Sequence, residues 1–229
     1  LQSLAYLVCR LLLGKITPGI DMSKLTLSEL KSLKELQEWN GEFAKDKIAP
    51  TIYTRFMYEF LAGTFKDEMQ VGFAQFINTP LQKKIWLTQI DNINSVWWDN
   101  VATKDIKETR QEIITKSFQS SIAFLGNQLG ESIESWTWNR VASVEYKHSL
   151  GEVALLRKYF NVGPFETVGG NEVINNQIFN LNSTGYYKIH AGPSTRRVID
   201  FSDIEHSLGI LPTGQSGNVF SPHYKYDQL

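Results

Sequence analysis

The spacing of apolar residues changes near Trp136, and that change constrains the fold more than any single motif. Before it, apolar side chains recur three and four residues apart, the period of a helix with one buried face. After it, short β-branched and aromatic stretches are separated by Gly, Pro, Asn or Asp, the pattern of strands joined by turns. Gly and Pro follow the same division, with seven Gly and three Pro up to residue 150 and nine and four beyond it. The chain is therefore expected to be α+β. A helical region over 1–140 and an antiparallel sheet region over 141–229 should form one integrated structural unit.

Within the helical region, Leu4 to Leu13 is an apolar run interrupted by Arg10. It is too short for a bilayer, which needs about 20 apolar residues. No basic segment precedes it and no small-residue cleavage site follows, so it reads as a core helix rather than a signal peptide. Thr26-Leu27-Ser28-Glu29 is a capping box, and Leu27, Leu30, Leu33 and Leu36 follow at helical spacing until Asn40-Gly41. A second helix is predicted from near Pro50, with Ile52, Phe56, Phe60 and Leu61 on its buried stripe. Residues 66–98 read as helical with a break at Pro80. Ile106, Ile113, Ile114, Phe118, Ile122, Leu125 and Leu129 predict a long helix starting at Thr103. Strands are predicted at Val141–Lys147, Ala154–Phe160, Val173–Leu181, Tyr186–Ala191, Arg197–Phe201 and Ser207–Leu211.

Composition excludes some functions. With 42% hydrophobic and 21% charged residues the chain is globular. Lys plus Arg number 23 against 24 Asp plus Glu, so there is no electrostatic footprint for nucleic acid or an anionic membrane. Cys9 alone cannot close an intramolecular disulfide, and in an apolar run it is expected to be buried and inert.

No single constellation is specific. His148, His190, His206 and His223 form no i, i+4 pair, and no Cys, Asp or Glu cluster has metal-ligand spacing. Gly214-Gln215-Ser216-Gly217 invites comparison with a nucleophile elbow, yet Asn218 occupies the fifth position and no helix pattern follows. Gly169-Gly170 lacks the spacing of a dinucleotide loop. Trp97 and Trp98 are neighbours and point about 100° apart if helical, so only one can face a ligand. Trp136 and Trp138, at the helix-to-strand junction, read as core. Asn182-Ser183-Thr184 fits the glycosylation sequon, which means little outside a eukaryotic secretory context.

Several strings are more specific in combination. Gly192-Pro193-Ser194-Thr195-Arg196-Arg197-Val198-Ile199-Asp200 is followed by Ser207-Leu208-Gly209-Ile210-Leu211 and Pro212-Thr213-Gly214-Gln215-Ser216-Gly217-Asn218. Phe220-Ser221-Pro222-His223-Tyr224 and Asp227-Gln228 complete the series. In order and content these resemble the end of the large chain of the penicillin acylase (penicillin amidase) family. Gly169-Gly170-Asn171-Glu172-Val173-Ile174-Asn175 is similar to that family's Gly-Gly-Asp-x-x-Thr-Val-Asn segment. Trp39-Asn40-Gly41 and Ala49-Pro50-Thr51-Ile52-Tyr53 resemble its helical stretch, so the likeness covers residues 25–229. Val219 stands where Pro is common, and Glu172 and Ile174 also depart from the pattern, which blurs the substrate subclass.

The resemblance implies an N-terminal-nucleophile hydrolase with an αββα sandwich, cleaving an amide between an acyl group and an amine. In that family the nucleophile is a Ser exposed by autoproteolysis, with its own α-amino group as base. An Asn side chain and backbone N–H groups form the oxyanion hole. Those residues, and the family's calcium ligands, lie upstream of what Leu1 matches. The resemblance thus implies a structural C-terminal segment of the large chain, with no catalytic, cofactor-binding or metal residue of its own. Its implied partners are the small chain and the N-terminal part of the large chain, with a small acyl amide as substrate and the periplasm as location. The acyl group stays open among penicillin, an N-acyl-homoserine lactone or another amide. Two rivals are a free-standing binding or assembly module on the same fold, and a serine hydrolase using Ser216 and His223. Ile199–Phe201 beside Leu208–Leu211 are apolar on both faces, which predicts a sheet face without cover in this chain alone.

Overall fold

Helix ends are set by local hydrogen bonds. The computed structural model describes residues 7–79, 81–171, 173–193, 195–210 and 212–225; Pro80, Glu172, Leu211, Asp227 and Gln228, singled out above, lie outside them. Helix α1 spans Leu7–Ile16 and buries Cys9, Leu12, Leu13 and Ile16. Helix α2, Leu27–Glu38, opens on the expected capping box: Thr26 Oγ1 accepts from the Glu29 N–H and the Glu29 carboxylate accepts from the Thr26 N–H. Past its end Gly41 adopts φ +94°, a conformation side chains resist.

Helix α3, Ala49–Met69, carries Pro50 in its first turn, where a missing N–H costs nothing. It is buried all round over residues 49–58, not only along the stripe of Ile52, Phe56, Phe60 and Leu61. A helix enclosed on every side is the centre of a fold rather than its cover. The one-turn α4 (Phe73–Phe76) and α5 (Leu81–Asp91) follow it. The residues read as helical over 66–98 with a break at Pro80 are several short elements, ending in a 3-10 turn at Val96–Trp98. Helix α6, Arg110–Leu129, lies along α3. Gly63 permits the approach, since a Cβ there would meet Ser117 Oγ at 2.9 Å. Phe56 and Phe118, both fully buried, meet edge to face at 5.3 Å. Each such ring contributes roughly 1.5–3 kcal/mol by leaving water.

Helix α6 starts at Arg110 and not at Thr103. Thr109 and Glu112 form a second capping box, which the apolar spacing concealed, and Ile106 is 63% exposed off the stripe. Residues 100–108 form a turn instead, closed by Glu108, which accepts from the Asn100 N–H and the Thr103 hydroxyl.

Strand β1 (Ala142–Tyr146) is followed by the one-turn helix α7 (Arg157–Phe160), β2 (Val162–Glu166) and β3 (Tyr187–Ile189). The sheet has the order β2-β1-β3, with β2 antiparallel and β3 parallel to β1. It is mixed rather than wholly antiparallel because the long return through β2 brings β3 to the other edge of β1. Strands β4 (Arg196–Val198) and β5 (Leu208–Ile210) form a separate antiparallel pair.

Two predicted strands are corrected. Over Ala154–Phe160 the chain turns and enters α7, as its Ala, Leu, Arg and Lys favour. Arg157 there holds Glu145 of β1 through two hydrogen bonds, at 3.0 and 2.6 Å. Val173–Leu181 is irregular with isolated bridges, because Asn side chains take backbone groups that a ladder would use. Strand β2 was hidden by Gly163-Pro164; Pro is tolerated there because β2 is an edge strand. The result is α+β, with one apolar cluster running from Cys9 of α1 to Ile189 of β3.

Candidate functional site

Two of the segments that carry the family resemblance, Trp39-Asn40-Gly41 and Gly169-Gly170-Asn171, meet at the junction of helices and sheet, while those after Gly192 lie in and beyond the separate β4–β5 pair. Trp138 is fully buried there, stacked on Tyr187 at 5.7 Å and edge-on to Phe43 at 5.1 Å. Phe179 lies 5.6 Å from the same indole. Trp39, which begins Trp-Asn-Gly, packs on Phe43 at 5.3 Å and on Tyr53 of α3 at 5.2 Å. Its Nε1 donates to Glu42 O at 2.8 Å, and Asn40 Oδ1 accepts from the Glu42 N–H at 2.9 Å, so the turn after α2 is held by its own side chains.

The Gly-Gly-Asn segment closes onto this cluster. The Gly169 N–H donates to Phe43 O at 2.7 Å, and the Gly169 carbonyl accepts from Trp138 Nε1 at 3.2 Å. The Trp138 and Asn139 N–H groups donate to Lys47 O and Lys45 O, each at 2.9 Å. Gly169 has φ +98°, and a Cβ on it would lie 2.2 Å from Asn175 O. A Cβ on Gly170 would lie 2.8 Å from the Phe43 ring. Asn171 exchanges two 3.0 Å hydrogen bonds with Phe179, and Asn175 Nδ2 donates to Val168 O at 2.8 Å. Both glycines are needed for close approach, one to the Asn175 backbone and one to the Phe43 ring.

Beside the cluster, Arg55 is 4% exposed inside α3. Its Nη2 pairs with Glu59 one turn on, its Nη1 donates to Ser183 O at 3.0 Å, and its guanidinium lies 3.3 Å from the centre of the Phe124 ring. This connection of α3 to the loop before β3 was missed in the sequence. An Arg with Glu four residues on, set inside an apolar helix stripe, is the signal that carries it. Burial raises the hydroxyl pKa of Tyr58 and of Tyr187 above the usual phenol range, so both stay neutral. The Tyr187 hydroxyl is enclosed with no hydrogen-bond partner among the described residues.

Elsewhere the candidate residues serve turns. Ser216 and His223 do come together, but through backbone: the Ser216 N–H donates to His223 O at 3.3 Å, while Ser216 Oγ accepts from the Asn218 N–H at 3.1 Å. These bonds close the loop over 214–224, with the Ser216 hydroxyl accepting from backbone. His148 Nδ1 accepts from the Leu150 N–H at 3.1 Å, and its ring rests 5.0 Å from Phe160. His206 Nδ1 lies 2.8 Å from the Asp203 carboxylate. His190 lines an open groove of about 530 Å³ with Asn180, Asn182, Thr184, Tyr186 and Lys188. Among the described residues no group of three or more His, Cys, Asp or Glu is arranged for a metal ion, and no helix is long and apolar enough to cross a membrane. Trp97 and Trp98 pack separately, on Phe65 at 5.3 Å and on Phe60 at 6.1 Å.

The functional meaning of this geometry depends on the chain's relatives. The model of the penicillin amidase family matches residues 2–229. The acyl-homoserine lactone acylase QuiP of Pseudomonas fluorescens (strain Pf0-1) is 26% identical over 200 residues, covering 82% of this chain and 23% of its own. The QuiP of Pseudomonas aeruginosa is 22% identical over 209 residues, 82% of this chain and 24% of its own. The QuiP of Pseudomonas fluorescens (strain ATCC BAA-477) is 28% identical over 203 residues, 85% of this chain and 24% of its own. The chain spans about a quarter of the length of these curated relatives. With the family model matched along almost all of its length, the chain belongs to the penicillin amidase family.

Proposed function

We propose that this chain is a structural, non-catalytic part of an amide-cleaving acylase, one that separates the acyl group of an acyl-homoserine lactone or a similar acyl amide from its amine. The rest of the acylase polypeptide supplies the nucleophile, and the enzyme works in the periplasm. What carries the reading is the fate of the two family-like segments at the junction. Trp39-Asn40-Gly41 and Gly169-Gly170-Asn171 spend their polar groups on backbone and their surfaces on Phe43 and Trp138. Residues so committed position a scaffold and are not available to a substrate. The names of the relatives support the acyl-homoserine lactone class.

The test compares the 229-residue chain, checked for folding by circular dichroism, with the whole acylase that contains it. Both receive an acyl-homoserine lactone and a chromogenic phenylacetyl amide. Turnover is expected only from the whole acylase. Turnover by the 229-residue chain that Ser216→Ala abolishes would overturn the reading in favour of a serine hydrolase.

A further inference from the structure

We infer that Asn40, in the turn between α2 and α3, is a site of spontaneous covalent modification, where the side-chain amide closes on the Gly41 nitrogen and is converted to a carboxylate. Of the asparagines in the sequence, only Asn40 precedes a glycine. The following residue supplies the nucleophile, its backbone nitrogen, and a glycine has no Cβ to crowd the ring as it closes. The Gly41 amide gives its proton to water or hydroxide, and its nitrogen attacks Asn40 Cγ. The Cγ–Nδ2 bond then breaks, and the nitrogen takes a proton from water and leaves as ammonia. Water opens the resulting succinimide at either carbonyl. Attack at Cγ gives aspartate; attack at the backbone carbonyl carbon gives isoaspartate, with the main chain rerouted through Cβ and Cγ. Water is the sole co-reactant, and nothing is oxidised or reduced.

The local structure favours each step. Asn40 is exposed, so water reaches its amide. Its Oδ1 accepts from the Glu42 N–H at 2.9 Å. A backbone N–H aimed at that oxygen stabilises the negative charge that builds on it as the nitrogen adds, the electrostatics of an oxyanion hole. The Gly41 N–H makes no hydrogen bond among the described residues, so its proton leaves without breaking one. The departing Nδ2 is held only by Glu42 Oε2, at 3.5 Å. Asn182 is the contrast. Ser183 follows it, and its Nδ2 donates to Asn180 O at 3.1 Å and to Tyr186 O at 3.0 Å, so two carbonyls hold the nitrogen that would have to leave. The products act on the helix–sheet junction. Aspartate sets a carboxylate beside that of Glu42, and like charges so placed repel. Isoaspartate lengthens the main chain between Trp39 and Glu42, whose 2.8 Å indole-to-carbonyl bond closes the turn.

The test holds the full 229-residue chain in mildly alkaline buffer, native and in urea, with the native fold checked by circular dichroism. Peptides from timed digests are weighed by mass spectrometry for the gain of an amide-to-acid exchange, and fragmentation separates aspartate from isoaspartate. Asn40 is expected to convert at least as fast in the native chain as in urea, giving both products, while Asn182 converts only in urea. The variant Asn40→Gln, whose longer side chain closes a larger and less favourable ring, should lose the mass gain in this peptide. Conversion of Asn40 that is several times slower in the native chain than in urea would show that the fold protects it, and overturns the inference. Conversion of Asn182 ahead of Asn40 in the native chain, or a mass gain that survives Asn40→Gln, overturns it as well.

Discussion

Replacing Gly169 by Ala tests whether the Gly-Gly loop is shaped by close approach. Two costs add. At φ +98° a side chain occupies backbone space that non-glycine residues avoid, worth about 1–3 kcal/mol. The new Cβ would also sit 2.2 Å from Asn175 O, an atom of the backbone that no rotamer change can move aside. Relief requires the loop to open, which loosens the Gly170 N–H to Asn175 O bond of 3.3 Å and the Asn175 Nδ2 to Val168 O bond of 2.8 Å. Two such bonds contribute about 1–3 kcal/mol together. The expected destabilisation is therefore roughly 2–6 kcal/mol, combining strain with lost hydrogen bonds. With a urea slope of about 3 kcal/mol per molar, the unfolding midpoint should fall by about 0.7–2 M. Gly217→Ala is the control, because nothing lies within 4 Å of a Cβ there, and it should stay within about 0.5 kcal/mol of the parent. Urea titration followed by tryptophan fluorescence suits the measurement, since Trp138 Nε1 is bonded to Gly169 O. Equal midpoints for the two variants would refute the argument.

Three further outcomes follow from the same structure. Glu68 is pushed up to about 7, first by burial and then by a hydrogen bond with Asp67 and the charges of Asp67 and Asp99. The folded chain therefore keeps a proton that the unfolded chain releases above its ordinary value of 4.5, so stability falls as pH rises from there to about 7. Thermal unfolding at several pH values should show Glu68→Gln removing part of that slope, and an unchanged slope counts against the assignment. Thr109→Ala should cost about 1 kcal/mol by deleting the α6 cap, with Thr109→Ser nearly neutral, both measured by denaturation. Arg55→Met should cost about 3 kcal/mol or more by leaving Glu59 half-buried without its cation, and the double variant Arg55→Met/Glu59→Met should recover much of it. A double variant no more stable than the single one would show that the pair is not the source.

Local chemistry was legible wherever one short stretch held all its own partners. The Thr26–Glu29 capping box, the start of α3 at Pro50, the turn at Gly41, and strands β1, β3 and β5 were read from neighbours a few residues apart. Periodicity misled where a stripe ran past a cap, so α6 was begun at Thr103 although Thr109 carries the cap. It misled again where helix-forming residues also looked apolar enough for a strand, at Ala154–Phe160. The family was readable because its strings recur in a fixed order.

Tertiary structure alone decided the rest. Nothing near Gly169 in the chain shows that its N–H belongs to Phe43 and its carbonyl to Trp138. Nothing near Arg55 shows that Ser183 O receives its guanidinium. The parallel pairing of β3 with β1 likewise joins Tyr187 to Ala142 across the whole of β2. Composition and spacing describe which faces must leave water, a property of each segment by itself. Which face meets which is settled by close packing among segments far apart in the chain, where a single Cβ on Gly169 or Gly170 has no room.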